Sequence, residues 1–503
     1  MPPSEENPGV SSQRATAIVV VLGLGTGLLY VATAFIERAL FANGAAESAS
    51  IIARGYPASR MLMFGQLVLY ALVSLSLIGA YLRVVAMSRR GQLDGARQRF
   101  WALAIPVIIH FGFLGWTPTL SEDTLSYVAH GVLGQLPGHN PLLEAVEVAR
   151  TTSWKSAFAV YGWHAEAGIS PYGILWTRLE IAVAGLSGGD IGRAVLMLKS
   201  VAILASLGSA WCIWSLAGRL DSRLQLTATL AYLWNPLVIM EFAAEGHNDA
   251  ALCLFTLGAL AACVAGRPAV MLISGSLGVL TKYVTILYIP AQLSLAWRRR
   301  RGSWWFLSQA VLAIVAVFLL AVLLYSPLWA GTHTFDGIIH RANPVSSGTL
   351  FGAVNWLLRR SPLRNLAGPL TTIVMTLPLL GLVAWGSLRV KDAAELAAHS
   401  VWISLAYLLI ASPDYWPWYA CLPIALIVVG AFDSLFWLAV LMTAAARLVA
   451  PLEILRDHGH MSFQWCKGLI TGVGSLLPLV AVAAWLLFYA RARRGSVPGP
   501  VVP

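Results

Sequence analysis

The sequence predicts an all-α polytopic membrane protein, a bundle of about 13–14 transmembrane helices with extracytoplasmic loops and interfacial helices. Three observations support this fold class. The 503 residues are 58% hydrophobic and only 11% charged, whereas soluble domains carry about 45–50% apolar and roughly 25% charged residues. Long apolar runs recur from end to end, and basic residues gather in short loops beside them. Because lipid offers the backbone no hydrogen-bonding partner, such runs must be helical.

Fourteen apolar runs are candidate membrane spans, since a helix of about 20 apolar residues crosses a bilayer. They lie at residues 16–35, 62–87, 101–117, 192–217, 224–241, 249–266, 268–281, 282–297, 305–326, 366–388, 395–412, 416–431, 432–449 and 467–490. The first run is too long for the core of a cleaved signal peptide, so we expect it to be a retained anchor.

The basic loops set the predicted orientation, because they follow even-numbered spans and therefore share one face. By the positive-inside rule that face is cytoplasmic. We expect cytoplasmic tails at residues 1–15 and 491–503, flanking a single transmembrane domain at 16–490 in a bacterial inner membrane. Large outer loops would lie at 117–190 and 327–365. The net charge of +11 then reflects the positive-inside pattern and does not call for a nucleic-acid partner.

Two segments are placed by this orientation. The run 172–186 is apolar enough to cross, but a crossing there would move Arg219 and Arg223 to the outer face, so we expect an interfacial or re-entrant segment.

The stretch 269–297 must begin and end on the cytoplasmic side. We expect a hairpin of two arms of about 14 residues, or about 21 Å each, against a hydrocarbon core of about 30 Å. Lys282 would lie at its tip, at membrane depth.

Metal and disulfide chemistry has little support in the sequence. The five cysteines show no CxxC spacing. The acidic and histidine residues between 453 and 460 match no strong zinc-binding pattern and are better explained as a surface loop. We expect that no cofactor is required, while a divalent cation stays open.

Unusual polar residues gather in the predicted outer loops. Ionisable groups cost about 2.5–3.5 kcal/mol each at the centre of a bilayer, so those bordering a membrane usually mark a pathway or a site. The candidate site residues are Glu122, Asp123, Tyr127, Tyr172, His247, Asn248, Asp249, Lys282, His340, Arg341, Trp416 and Tyr419.

Each carboxylate candidate has a structural alternative. Glu122 and Asp123 follow the third span, where one of them can take a proton from a substrate hydroxyl, or where both simply begin an interfacial helix. His247, Asn248 and Asp249 stand just before an apolar run. One polar residue there caps a helix, but three together are more than capping requires.

The cationic and aromatic candidates leave alternatives open as well. Lys282, between apolar arms, needs an anion, which is either a bound phosphate or a carboxylate of this chain. His340 and Arg341 either hold a phosphate through charge-assisted hydrogen bonds or form a solvated pair. Trp416 and Tyr419 belong either to an interfacial aromatic belt or to a stacking platform for a sugar or an isoprenoid.

Several of these motifs together resemble the GT-C superfamily of integral-membrane glycosyltransferases. More narrowly, the chain is similar to bacterial mannosyltransferases that use polyprenol-phosphate-mannose. The matching elements cover roughly residues 100–430. They are the acidic first outer loop with Glu122, Asp123, Tyr127 and Gly131, the turn Ser170-Pro171-Tyr172-Gly173, the string Trp234-Asn235-Pro236-Leu237 with Glu241 and His247-Asn248-Asp249, the lysine Lys282, and the late segment with Ser412, Pro413, Trp416 and Tyr419. Many relatives have a proline where this chain has Ile174.

The resemblance implies a GT-C-like bundle and an inverting hexosyl transfer, with mannose as the expected sugar. The donor would be a polyprenyl-phosphate sugar, and the acceptor a glycan or lipid-linked acceptor on the extracytoplasmic side. Asp123 would be the general base, with Glu122 as its nearest competitor. Lys282, His340 and Arg341 would face the carrier phosphate, and the remaining candidates would bind donor or acceptor.

Three rival functions remain at this level. A lipid or sugar transporter predicts inverted repeats and charges near the midplane, whereas the polar residues here gather at one face. An outer-face glycan polymerase or ligase would take a diphosphate donor and rely on Arg and His. The third rival is an inactive scaffold for glycan assembly.

Overall fold

The computed structural model describes residues 8–49, 57–146, 168–300, 303–337, 349–452 and 463–495. Most of the chain in these ranges is helical, and they contain no β-strand apart from one isolated bridge between Ala330 and Thr332. The predicted all-α polytopic class is therefore confirmed. His340 and Arg341, and the residues 453–460, lie outside the described ranges.

The principal helices are numbered in chain order. They are α1 (Pro8–Ala49), α2 (Pro57–Arg89), α3 (Ala96–Gly112), α4 (Asp123–Gln135), α5 (Ile174–Leu186), α6 (Ile191–Leu220), α7 (Gln225–Leu233), α8 (Pro236–Ile239), α9 (Asp249–Val264), α10 (Pro268–Thr281), α11 (Ile289–Arg299), α12 (Trp304–Tyr325), α13 (Leu350–Arg359), α14 (Ala367–Arg389), α15 (Ala393–Ala406), α16 (Cys421–Gly430), α17 (Phe432–Val449), α18 (Phe463–Thr471) and α19 (Leu477–Gly495).

Eight helices in the described part of the chain are long and apolar enough to cross a membrane, or nine if one bent pair is a single span. Several other apolar runs form helices too short for this criterion, including α9, α10 and the segment Pro417–Gly430. Apolar composition alone therefore predicts more crossings than helix length supports, because several apolar runs form helices of only 10–17 residues.

The bent pair shows how the sequence makes such a break. Asn235 accepts hydrogen bonds from the backbone N–H groups of Leu237 and Val238, and Pro236, which has no N–H to lose, begins the new helix. The two segments meet at 49°. A π turn at Met240–Ala244 follows and carries the chain into the loop before α9. The bend thus brings a polar loop to the end of a buried helix.

Gly246 allows this loop to pack closely. Its φ of +76° lies in the left-handed region that favours glycine. A Cβ at this position would lie 2.9 Å from Cγ of Lys199 and 3.1 Å from Oγ1 of Thr124. A larger residue would therefore push the loop away from α6 and α4.

The predicted hairpin and interfacial segment both have structural counterparts. The helix α10 ends at Thr281, Lys282 is extended, and a 3-10 turn at Tyr283–Tyr288 leads into α11. The start of α10 and the end of α11 line one cavity, so the chain does turn back. The predicted interfacial run becomes α5, only 13 residues long, which packs against α4.

Candidate active site

Asp123 lies at the first position of α4, and its carboxylate faces a cluster of polar groups. Its backbone N–H donates to Oγ of Ser121 at 3.1 Å, which closes the turn before the helix. Its Oδ2 accepts hydrogen bonds from Tyr127 at 3.3 Å and Tyr172 at 3.2 Å. The side chain keeps 26% exposure, so a substrate can reach the carboxylate. Glu122 is the residue that precedes the helix, and its side chain does not cap it.

A buried carboxylate fixes the loop that leads into Asp123. Glu245 accepts hydrogen bonds at 3.0–3.3 Å from three consecutive backbone N–H groups, those of residues 119–121. The hydroxyl of Thr124 donates to the backbone carbonyl of Glu245. Burial raises the pKa of Glu245 to about 6, although the hydrogen bonds that it accepts from backbone N–H groups lower this pKa. Hydrogen bonds to a charged acceptor contribute about 1.5–3 kcal/mol each. Glu245 therefore holds the start of α4 in register.

Three further buried charges, Lys199 and the pair of Arg447 with Glu37, brace the same region from other helices. Lys199 of α6 donates to the backbone carbonyls of Phe113 and Trp116, at the end of the segment that follows α3. Arg447 of α17 contacts Glu37 of α1 at 3.2 Å, and both side chains are fully buried. A pair of buried charges adds little net stability, but losing either partner is costly. These contacts tie four helices around the polar loops.

His247 lies directly beside Asp123. Its Nδ1 is 3.6 Å from Oδ2 of Asp123, and its Nε2 is 3.2 Å from Oε2 of Glu241. Complete burial disfavours the charged ring, but the two carboxylates outweigh this cost and raise the pKa of His247 to about 10. The ring stacks on Trp418 with centroids 3.9 Å apart, and Trp418 stacks on Trp416 at 5.3 Å. An imidazolium between two carboxylates is therefore the expected state near neutral pH.

Lys282 closes the opposite end of the polar cluster. Its Nζ contacts both carboxylate oxygens of Asp249, at 2.8 and 3.0 Å, and lies 4.5 Å from the ring centroid of Tyr419. The sequence left either a bound phosphate or a carboxylate of this chain as the anion beside Lys282, and in the structure the carboxylate of Asp249 occupies that place. The lysine keeps 19% exposure, so it can contact a further anion.

The string His247-Asn248-Asp249 joins the two ends. His247 reaches Asp123, Asp249 reaches Lys282, and the backbone N–H of Asn248 donates to the hydroxyl of Tyr127 at 3.4 Å. Three consecutive residues before α9 thus hold the carboxylate and lysine candidates in one cluster. Asn248 itself is buried, and its side-chain amide has no hydrogen-bonding partner among the residues that the structure describes.

A groove borders the lysine end. It has an empty volume of about 360 Å³, and Asp249, Lys282 and Tyr419 form its polar rim. Its other walls are formed by Leu252, Val284, Tyr288, Ser404, Tyr407, Leu408, Leu422 and Pro423. The surface beside Lys282 is therefore mainly apolar, with its polar groups at one edge.

Most of the sequence-predicted residues meet here. Those joined by direct contacts are Asp123, Tyr127, Tyr172, His247, Asn248, Asp249, Lys282 and Tyr419. Trp416 joins through its stack on Trp418. His340 and Arg341 stay untested predictions, because they lie outside the described residues. Across the described residues, no group of three or more His, Cys, Asp or Glu side chains is arranged to hold a metal ion.

Four contributors were not among the predicted site residues: Glu241, Glu245, Trp418 and Lys199. The first two belong to the string EFAAEGHND, where two acidic residues shortly before Gly246 were the available signal. Lys199 was visible as a lone charge in an apolar run. Trp418 lies in the same aromatic group as Trp416 and Tyr419, which were predicted from the sequence as site residues.

One comparison with known proteins identifies the class. The family model described as alpha-(1->6)-mannopyranosyltransferase, N-terminal domain, matches residues 15–299. This range covers more than half of the chain and includes the acidic loop, the His247-Asn248-Asp249 string and Lys282. No curated protein matches the sequence. The chain therefore belongs to the alpha-(1->6)-mannopyranosyltransferase family and is a membrane-embedded glycosyltransferase.

Proposed function

We propose that the protein is an inverting mannosyltransferase that moves mannose from a polyprenyl-phosphate carrier to a glycan or lipid-linked acceptor on the extracytoplasmic face of a bacterial inner membrane. The observation that carries this proposal is the cluster in which Asp123 and Lys282 lie at either end of the string 247–249. A proton acceptor and a phosphate-facing cation in one cluster are what this reaction needs from a protein.

In the proposed reaction, Asp123 accepts the proton of an acceptor hydroxyl as that oxygen attacks C1 of the carrier-linked sugar. The bond between C1 and the phosphate oxygen breaks, and its electron pair leaves with the carrier phosphate. A single displacement inverts the configuration, so a β-linked donor gives an α-glycoside. Tyr127 and Tyr172 orient the carboxylate through their hydrogen bonds. Glu122 is not required as a base in this scheme.

Lys282 binds the carrier phosphate, because a fixed cation offsets the negative charge that this group carries both in the donor and after the sugar leaves. It does so while paired with Asp249, so the phosphate meets a lysine whose orientation is already set. No divalent cation is needed in this scheme. The apolar walls of the groove beside Lys282 would take the first isoprene units of the carrier, which places the lipid tail between helices and the sugar toward Asp123.

A transfer assay with chemically defined donors tests the proposal. Purified full-length protein in nanodiscs is incubated with polyprenyl-phosphate mannose, glucose or galactose, together with an α-mannoside acceptor. We expect mass spectrometry to detect one added hexose only with the mannosyl donor, accompanied by polyprenyl phosphate, and we expect NMR to show an α linkage. Transfer from a nucleotide sugar or a polyprenyl-diphosphate donor in its place would contradict the proposal.

A further inference from the structure

The hairpin that carries Lys282 has a second polar feature at its other end. A cavity with an empty volume of about 510 Å³ lies where the start of α10 meets the end of α11. Its lining includes Arg267, Arg299 and Arg300. The cavity is separate from the cluster around Asp123, and none of its lining residues borders the groove beside Lys282.

The three guanidinium groups lie free of acidic partners in the described part of the chain. The ion pairs found there occupy other arginines, for example Arg89 with Asp433 and Arg223 with Asp221. Arg300 instead packs 5.0 Å above the ring of Trp305. Three like charges around one cavity repel one another, so an anion between them would lower the electrostatic energy.

Three helix ends border the same cavity: the start of α10 and the C-terminal ends of α9 and α11. Arg267 immediately precedes α10, a helix of 14 residues that begins with Pro268 and has no side-chain cap at its N-terminus. The positive end of the α10 dipole attracts an anion, but the C-terminal ends of α9 and α11 have the opposite sign, so the three arginines supply the attraction. Gly266, with φ of +70°, turns the chain so that the start of α10 borders the cavity. Arginine suits phosphate because its planar donors match two oxygens at once.

The apolar side of the cavity indicates where the rest of the ligand lies. Phe306 of α12 forms part of the wall, and the adjoining surface of α12 is open, with Trp304 83% and Leu307 43% exposed. Such a helix faces lipid chains in a membrane. A phosphate in the cavity can therefore belong to a molecule whose acyl chains run along α12.

We propose that this cavity binds the phosphate group of an anionic membrane lipid, on the face opposite to Lys282. The ligand would join the two ends of the hairpin, because Arg267 begins the first arm and Arg299 ends the second. It would thereby fix the depth at which the tip holds Lys282. The site does not depend on the transferase mechanism, since it shares no residue with it.

Native mass spectrometry of the full-length protein tests the proposal, with phosphatidylglycerol and phosphatidylcholine competing for binding. We expect one retained phosphatidylglycerol per chain. In the double variant Arg267→Gln/Arg299→Gln, we expect the preference for phosphatidylglycerol to fall roughly 100-fold, since each arginine would lose a direct hydrogen bond to a charged group, which contributes about a tenfold factor. The control Arg219→Gln/Arg223→Gln removes the same charge from another loop and should keep the preference. Melting temperatures in phosphatidylcholine alone verify that both variants fold.

A parallel titration with inorganic phosphate distinguishes the two sources of this chemistry. Stabilisation by millimolar phosphate that the double variant loses, without any lipid preference, would support the phosphate site but overturn its assignment to a lipid. An unchanged lipid preference in the double variant, or an equal loss in the control variant, would overturn the site altogether, because general attraction between basic loops and anionic lipid would then explain the binding.

Discussion

The two ends of the candidate site hold their charged groups in different ways. At one end, Asp123 accepts hydrogen bonds from two phenols, lies beside His247 and stays partly exposed. At the other end, Lys282 is already paired with both oxygens of Asp249. The hydrogen bonds to Asp123, the proposed base, are therefore already formed in the absence of substrate, whereas the pair of Lys282, the proposed phosphate contact, with Asp249 is neutral overall. This difference suggests that the first end governs the chemical step and the second governs binding and orientation of the donor.

Replacing Asp123 gives the largest expected effect. Asp123→Asn keeps the size of the side chain and its contact with Tyr172 but removes the proton acceptor. General-base catalysis contributes about 10²–10⁴-fold, so kcat should fall by that factor with little change in donor KM. The measurement is the initial rate of transfer at saturating donor.

Glu122→Gln is the matched control, because it neutralises the adjacent carboxylate. It should retain most of the activity if Asp123 is the base. A larger loss of activity in Glu122→Gln than in Asp123→Asn would mean that Glu122, and not Asp123, is the general base.

The lysine end should respond mainly in donor binding. Lys282→Gln leaves Asp249 as an unpaired, nearly buried carboxylate, and losing one partner of such a pair costs about 2–5 kcal/mol. We expect kcat/KM for the donor to fall about 30-fold or more, mostly through KM. Asp249→Asn leaves Lys282 charged and should preserve more of kcat/KM than Lys282→Gln. Equal losses in both variants would mean that the ion pair itself, rather than the lysine charge, supports the reaction.

How much of this arrangement the sequence could predict differs between the two ends. Asp123 and His247 were recognisable because they stand among the polar residues that gather in the predicted outer loops, and Lys282 because it interrupts an apolar run. The pairing of Lys282 with Asp249 could not be recognised from the sequence, since 33 residues separate them. A bound phosphate would account for a lysine at this position equally well. Helix count was less predictable than class, because several apolar runs form helices of only 10–17 residues, and hydropathy does not indicate where a helix ends. Glu245 acts on backbone N–H groups more than 120 residues away, and no local pattern encodes such a contact.

The charge of His247 should make the stability of the folded protein depend on pH. Its pKa in the folded protein is raised from 6.5 to about 10, so the folded state holds a proton that the unfolded chain releases at lower pH. This contribution to stability is fully present below pH 6.5 and is lost as the pH rises through about 10. We expect the melting temperature to fall across this window in wild type.

His247→Asn provides the matched comparison, because it removes the titrating ring from between the two carboxylates. The variant should melt lower at pH 6.5, and its melting temperature should depend less on pH up to 10. A wild-type melting temperature that stays constant across the window would argue against the imidazolium.

The smallest expected effect concerns Glu245, which acts on Asp123 only through the backbone. Glu245→Ala leaves the N–H groups of residues 119–121 without their acceptor, so the start of α4 should lose its fixed position. We expect kcat to fall about tenfold, the effect of one lost hydrogen bond to a charged group of about 1.5 kcal/mol, with KM for the donor unchanged because Lys282 lies elsewhere. Glu245→Gln keeps one oxygen acceptor and should restore part of the rate. A loss confined to KM, or no recovery in Glu245→Gln, would mean that Glu245 supports the fold in general and does not position the base.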